Sequence, residues 1–263
     1  MANARDRFWI WGHDAGSHNE LYNVPEKSRI TPVEAAFYFS IPNIVMVRYR
    51  EKSLPPSVQY SVPFRPLRQV VWSIVGSGGR ESARSEREQA IELAQNLPNM
   101  TGVMMDDFFK TEGDQDSIGA LSLDQLRNVR DLLDAAPRKL DLWVVLYNFQ
   151  THLPVRRHLE LCDKVTFWTW KAEDLPKMEE NFALAERAAP SCGKLLGCYM
   201  WDYGAKRPMP VNLMEKQCEK GLEWLQEGRI EGMIFLASCI CDLGLETVEW
   251  TRQWVTKVGD RPL

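Results

Sequence analysis

Two adjacent acidic residues, Asp106 and Asp107, follow a short apolar segment in the sequence GVMMDDFF, residues 102–109. A buried strand accommodates Gly, Val and Met along its length, whereas a carboxylate is stable only where the strand leaves the core. The pair therefore predicts the C-terminal end of a buried strand. In parallel α/β folds, ligands bind and catalytic side chains lie at this end of the sheet. Carboxyl groups placed there are suited to cleaving a sugar bond, which requires two such groups on either side of the bond.

The two side chains of this pair cannot both reach one pocket from regular strand geometry, because adjacent strand residues point to opposite faces. We expect one to face the pocket and the other to turn toward a neighbouring loop. A further carboxyl group must then come from another strand, and Asp202 is the first candidate. It lies between Trp201 and Tyr203, where apolar neighbours would favour its protonated form and let it donate a proton. The structural alternative is a loop cap or an ion pair with Lys206 or Arg207.

Other polar and aromatic residues lie at predicted strand ends. Together they describe a rim suited to a polar ring such as a sugar, whose C–H faces stack on indole rings. The predicted substrate-binding residues are Trp11, His13, Asp14, Arg48, Trp72, Tyr147, Asn148, Trp168, Trp170, Trp201, Tyr203 and Asp242. Asp14, Asp242 and Glu51 are also weaker candidates for the second catalytic carboxyl group. For any single tryptophan, core packing is the alternative interpretation.

Eight segments with strand character alternate with helical segments and position these residues. The predicted strands are 8–12, 43–49, 68–75, 102–109, 140–148, 164–170, 195–203 and 232–242. The first helix has a clear start, because Thr31 is a good N-cap, Pro32 suits the first helical position and Glu34 completes a capping box. Eight strand-and-helix units in about 250 residues predict a single-domain (β/α)8 barrel over residues 1–263. The alternative, a doubly wound open sheet, would carry a glycine-rich first turn, which WGHDAGSH lacks.

The segment GVMMDDFF resembles the fourth-strand signature of glycoside hydrolase-like barrels. In that signature a Gly, three apolar residues and an Asp, often followed by a second Asp and aromatic residues, close the strand. Chitinase-type and related sugar-hydrolase barrels are similar there. The resemblance implies a glycosidase-type hydrolase in which Asp106 faces the active site. This chain departs from the chitinase pattern at Phe108, where chitinases carry the proton-donating Glu, so the acid must be sought elsewhere.

Composition narrows the possible partners. The chain is 44% hydrophobic and 26% charged with a net charge of -4, which is typical of a globular protein and disfavours nucleic-acid binding. No segment approaches the roughly 18 apolar residues of a membrane span, and the N-terminus has no signal-like apolar core. We therefore expect a soluble, cytoplasmic chain with a small-molecule or oligosaccharide substrate, no nucleic acid and no membrane. The six cysteines are predicted to be reduced and buried.

Three other functions compete with the hydrolase. A metal-dependent sugar isomerase needs several ligands at strand ends, but of four histidines only His13 lies at such an end. We therefore predict no metal and no cofactor. The loop GSGGR, residues 76–80, could cradle a phosphate through its amides and Arg80, although a mobile loop is favoured. The chain could also be a barrel that binds a saccharide or a protein without catalysis.

Overall fold

The computed structural model describes residues 2–49, 57–81 and 84–263. Over these residues the chain has the predicted (β/α)8 barrel fold, in which eight parallel strands alternate with eight helices. The strands are β1 Phe8–Gly12, β2 Asn43–Met46, β3 Gln69–Gly76, β4 Met100–Met105, β5 Asp141–Tyr147, β6 Lys164–Trp168, β7 Gly193–Tyr199 and β8 Gly232–Leu236. The helices are α1 Pro32–Phe39, α2 Ser57–Ser61, α3 Arg84–Glu92, α4 Leu123–Asp134, α5 Arg156–Leu159, α6 Met178–Ala188, α7 Val211–Gln226 and α8 Glu246–Val258.

The order of the parallel strands in the sheet is β2, β1, β8, β7, β6, β5, β4, β3, and an additional pairing of β2 with β3 closes the barrel. A ninth, two-residue strand, Arg80–Glu81, pairs antiparallel with the end of β3. All eight predicted strands are present, but several end earlier than predicted. The second strand stops at Met46, and the eighth stops at Leu236 before a 3-10 turn, Ser238–Ile240. Within 52–67, predicted to be irregular, the described part contains α2 and a 3-10 turn.

Capping explains where two of the helices begin. Thr31 Oγ1 accepts a hydrogen bond from the Glu34 backbone N–H, and Glu34 Oε2 accepts one from the Thr31 backbone N–H at 2.8 Å. The pair Ser122 and Gln125 forms the same reciprocal box at the start of α4. Such boxes satisfy backbone donors that have no partner inside the helix. The predicted start of α1 is therefore confirmed.

The chain divides into two compact units. The first comprises Met1–Ile44, Trp168–Glu180 and Lys194–Leu263, and the second comprises Val45–Phe167 and Asn181–Gly193. In the first unit, β8 pairs in parallel with β1 and with β7. Phe8, Phe235 and Trp254 pack with ring centroids 5.6 to 6.3 Å apart, which places an aromatic core under these strands.

In the second unit, β4 lies between β3 and β5 and pairs in parallel with both. Gly102 on β4 is required by close packing, because a Cβ there would lie 2.5 Å from the Asp141 carbonyl oxygen. The turn before β4 is held by Arg138, which donates to the Ala94 and Leu97 carbonyls at 2.6 Å each. These contacts hold the base of the strand that carries the acid pair.

The six cysteines are buried free thiols, as predicted. Burial raises the pKa of the Cys198 thiol well above its usual range, so this thiol stays protonated and packs as a small apolar group. Within the described residues, no helix combines the length and apolarity needed to cross a membrane.

Candidate functional site

The acid pair lies at the C-terminal end of β4. This strand ends at Met105, and the Asp106 backbone N–H continues the ladder by donating to the Val75 carbonyl at 3.0 Å. Asp106 itself is 5% exposed, so its carboxyl group lies in the protein interior. A buried carboxyl group is costly to ionise, which makes this position unusual for a purely structural residue.

The surroundings of Asp106 favour its protonated form. Burial is the main cause that raises the pKa of Asp106 well above its usual range, and the negative charge of Asp107 raises it further. One contact acts in the opposite direction, because the Asp107 backbone N–H donates to Asp106 Oδ1 at 2.8 Å. Asp106 is therefore able to hold a proton at pH values where an exposed aspartate is ionised.

Asp107 leaves the strand and turns away from its neighbour. Its φ of 45° is in the left-handed region, which ends the alternation of side chains along β4. Its carboxylate accepts two short hydrogen bonds, from the Tyr147 hydroxyl to Oδ1 at 2.6 Å and from the Gly78 backbone N–H to Oδ2 at 2.7 Å. Both oxygens thus act as acceptors, and the side chain is held by β5 on one side and by the loop after β3 on the other.

The glycine-rich loop GSGGR binds this carboxylate. Gly78 and Gly79 have φ of 83° and 62°, a conformation that side chains rarely adopt. A Cβ on Gly79 would lie 2.5 Å from the Asp107 carbonyl oxygen, so the loop and the acid pair are in direct contact. The amide of Gly78, which the sequence suggested as part of a phosphate cradle, binds the protein's own carboxylate instead. The Arg80 side chain lies outside the described residues.

The tyrosine whose hydroxyl binds Asp107 belongs to an aromatic pair. The Tyr147 ring stacks on Phe149 with centroids 5.3 Å apart and planes 5° from parallel. Tyr147 is buried, whereas Phe149 is 39% exposed. Tyr147 was predicted from the sequence, but Phe149 was not, because it lies in the 3-10 turn after β5, where no strand or helix periodicity applies.

The other predicted site residues of the second unit have different surroundings. The Arg48 backbone N–H donates to Ser73 Oγ at 2.9 Å, and its carbonyl accepts the Ser77 N–H. Trp72 packs against Tyr60 and Phe64, with centroids 6.1 and 5.5 Å away, as a core residue does. Asn148 is half-buried next to the aromatic pair, and its carbonyl accepts a hydrogen bond from Thr151. Glu51 lies outside the described residues.

In the first unit, several predicted aromatic residues meet at the ends of β1, β6 and β7. Trp11 packs edge to face on Trp168 at 5.3 Å, and Trp168 lies 5.0 Å from the Tyr199 ring. Trp170 contacts the same tyrosine at 5.9 Å. The Trp11 indole N–H donates to His13 Nε2 at 3.1 Å. Since an indole nitrogen can only donate, His13 Nε2 is the acceptor in this hydrogen bond.

Two residues that sequence reasoning missed extend this cluster. His18 lies 5.2 Å from the His13 ring and shares a 3.0 Å hydrogen bond with the Tyr203 hydroxyl. Tyr22 packs edge to face on both His18 and Tyr203. Both missed residues lie in the loop after β1, where the sequence has no periodic pattern. Burial raises the pKa of Tyr203 well above its usual range, so this phenol stays protonated.

Asp202 is fully engaged by its own loop. It is 1% exposed, and the guanidinium of Arg207 lies 3.2 Å from Oδ2. Oδ1 accepts hydrogen bonds from the backbone N–H groups of Ala205 at 3.1 Å and Ala172 at 3.4 Å. These contacts match the structural alternative considered for this residue, a loop anchor with an ion pair.

Three predicted residues of the first unit have separate contacts. Asp14 is buried, and its carbonyl accepts a hydrogen bond from the Ser17 hydroxyl at 2.6 Å. The Trp201 indole N–H donates to the Tyr22 carbonyl. Asp242 is exposed, accepts the backbone N–H groups of residues 29 and 30, and lines an open cavity of about 830 Å3 between α1 and α8. Among the described residues, no three His, Cys, Asp or Glu side chains group as metal ligands would.

No protein-family model matches the sequence. No curated protein matches it either. Solved structures do match: a GH18 chitinase from Pseudoalteromonas aurantia has a TM-score of 0.58 at 10% identity, covering 94% of this chain and 99% of the chitinase. A GH113 beta-mannanase from Alicyclobacillus acidocaldarius has a TM-score of 0.58 at 7% identity, covering 98% of both chains. A GH18 chitinase from Flavobacterium johnsoniae has a TM-score of 0.52 at 12% identity, covering 97% and 96%. These neighbours are glycoside hydrolases, and at such identities the likeness shows the shared barrel fold.

Proposed function

We propose that this chain is a carbohydrate-active enzyme that hydrolyses an O-glycosidic bond, with Asp106 as the general acid. The observation that carries the proposal is the environment of Asp106, a buried carboxyl group at the C-terminal end of a barrel strand next to a firmly held second carboxylate. Hydrolysis of a glycoside needs a proton on the leaving oxygen, and a carboxyl group with a raised pKa supplies one near neutral pH.

The two acids of the pair have different roles in this proposal. Asp107 is held by Tyr147 and Gly78, and its charge keeps the proton on Asp106. When Asp106 gives up its proton to the leaving oxygen, its new negative charge is stabilised by the Asp107 backbone N–H on Oδ1. The same hydrogen bond thus opposes protonation before the reaction and stabilises the product carboxylate after it.

The second catalytic carboxyl group stays a prediction. Asp202, the candidate from the sequence, has both oxygens engaged by Arg207 and two backbone N–H groups. If Asp202 is catalytic, Asp202→Asn will lower kcat without changing the unfolding midpoint. If it only anchors its loop, the same variant will lower the unfolding midpoint and leave kcat of the folded fraction unchanged.

Substrate binding by the aromatic and histidine cluster around Trp11 and His13 is likewise proposed.

The structural neighbours suggest the first substrates to test, because they include chitinases and a beta-mannanase. Purified wild type and Asp106→Asn would be incubated with chitohexaose, mannohexaose and cellohexaose, and products would be separated by anion-exchange chromatography. We expect cleavage of one glycan by wild type and a loss of about 100- to 10,000-fold in kcat for Asp106→Asn, the usual contribution of a general acid. The rate should fall as pH rises through the Asp106 pKa, since the acid must be protonated.

Asp131→Asn is the matched control, because Asp131 is an exposed aspartate on α4 in the same unit. It should retain full activity. Cleavage that survives Asp106→Asn would refute the assignment of the acid. A glycan that binds wild type and Asp106→Asn equally, with no cleavage by either, would favour a non-catalytic saccharide-binding barrel.

A further inference from the structure

The exposed aromatic ring of Phe149 supports a further inference, which rests on the proposed function. We propose that Phe149 is a stacking platform for one sugar ring of the substrate, and that it determines affinity without taking part in the chemical step. Its aromatic face would contact the C–H groups of the sugar, which favour such a face.

The exposure of Phe149 is the first observation. A phenylalanine with 39% of its surface exposed leaves apolar area in water, at a cost that grows with that area. Its ring stacks almost parallel on Tyr147, so one face is covered and the exposed surface belongs to the rest of the ring. The exposed ring of Phe149 is therefore supported on one face by a buried ring.

The turn that carries Phe149 is fixed, which is the second observation. Gln150 is buried, its Oε1 accepts the Tyr147 backbone N–H at 3.0 Å and its Nε2 donates to the Phe109 carbonyl at 2.8 Å. Thr151 Oγ1 donates to the Asn148 carbonyl and closes the turn. An aromatic ring held in this way loses little conformational entropy when a ligand stacks on it.

The position of the platform is the third observation. The Tyr147 hydroxyl binds Asp107 Oδ1 at 2.6 Å, so the length of one tyrosine side chain joins the exposed ring to the acid pair. The Gln150 amide binds the segment directly after the pair, at Phe109. A sugar ring on Phe149 would thus lie about one tyrosine side chain from Asp107, the residue next to Asp106. Among the described residues of the second unit, Phe149 is the only exposed Phe, Tyr or Trp ring, and it stacks on the tyrosine that binds Asp107.

Phe149 has no polar side-chain atom and cannot transfer a proton. Its proposed role in binding can therefore be tested separately from the chemical step. Stacking that is equal in the ground state and the transition state changes KM and leaves kcat unchanged. We expect Phe149→Ala to raise KM for the cleaved hexasaccharide, and its Kd in calorimetry with the Asp106→Asn variant, by about 2- to 13-fold, the range given by loss of one aromatic contact. The change in kcat should stay within about twofold. Phe149→Trp should restore or tighten binding.

Leu184→Ala is the matched control, because Leu184 in the same unit is also 39% exposed but is aliphatic and lies on α6. It should change neither KM nor Kd. Unchanged KM and Kd in Phe149→Ala, with Asp106→Asn still inactive, would overturn the platform and leave the hydrolase function intact. A loss in kcat with unchanged binding would also overturn it. Glycan binding without cleavage, weakened by Phe149→Ala, would support the platform while the hydrolase function fails.

Discussion

The Tyr147 hydroxyl holds the Asp107 carboxylate, and Tyr147→Phe removes that hydroxyl while retaining the ring that stacks on Phe149. A hydrogen bond to a charged group contributes about 1.5–3 kcal/mol to stability. Asp107 is half-buried, so water can replace part of the lost interaction and the lower end of that range applies. We therefore expect the free energy of unfolding to fall by roughly 1.5 kcal/mol, or about 3–6 °C in Tm for a chain of this size.

The measurement is urea unfolding of both proteins, followed by far-UV circular dichroism and tryptophan fluorescence. Tyr38→Phe is the comparison, because it removes a hydroxyl that donates to Glu249 on an exposed surface. That change should cost less than about 1 kcal/mol, since exposed polar pairs contribute little. Equal losses in the two variants, or no loss in Tyr147→Phe, would refute the inference that Tyr147 holds Asp107 in a partly desolvated site.

Two other predictions follow from the acid pair and its loop. The pKa of Asp106 is higher in the folded protein than in the unfolded chain, so ionisation of Asp106 opposes folding. The free energy of unfolding should therefore fall as pH rises from the ordinary aspartate range toward the folded-state pKa. Asp106→Asn should therefore be more stable than wild type at pH 7, whereas the two proteins should have similar unfolding free energies at pH 3. A constant difference in unfolding free energy between pH 3 and pH 7 would contradict the burial argument. Gly79→Ala adds a Cβ 2.5 Å from the Asp107 carbonyl at positive φ, whereas Gly244→Ala adds one at positive φ into open space. In chemical denaturation the first should lose at least about 1 kcal/mol more than the second, and equal losses would mean that the loop can move away from the acid pair.

The strand-and-helix order was predictable because burial imposes a pattern on the residues of each element. Fully buried parallel strands appear as short apolar runs, and all eight of them were located. The ends of strands were less predictable. Val47 and Tyr49 are as buried as the residues of β2, yet the strand ends at Met46, so burial alone does not mark the end of a strand.

The candidate site was only partly predictable for the same reason. Trp72 was expected at the rim, but it packs against Tyr60 and Phe64, whose position beside β3 cannot be seen in the sequence. Phe149 and His18 were missed because they lie in irregular segments, where the contacts of a side chain depend on residues distant in sequence.

The sequence by itself determined the alternation of strands and helices and the presence of two acids where one strand leaves the core. It could do so because residue type decides which groups are stable in the core, and spacing along a single segment decides which of them share a face. Only the tertiary structure decided the surroundings of each acid. Asp106 is buried beside the charge of Asp107, and Asp107 is bound by a tyrosine hydroxyl 40 positions later and a glycine amide 29 positions earlier. The protonation of a carboxyl group depends on such neighbours in space, which chain folding alone brings together.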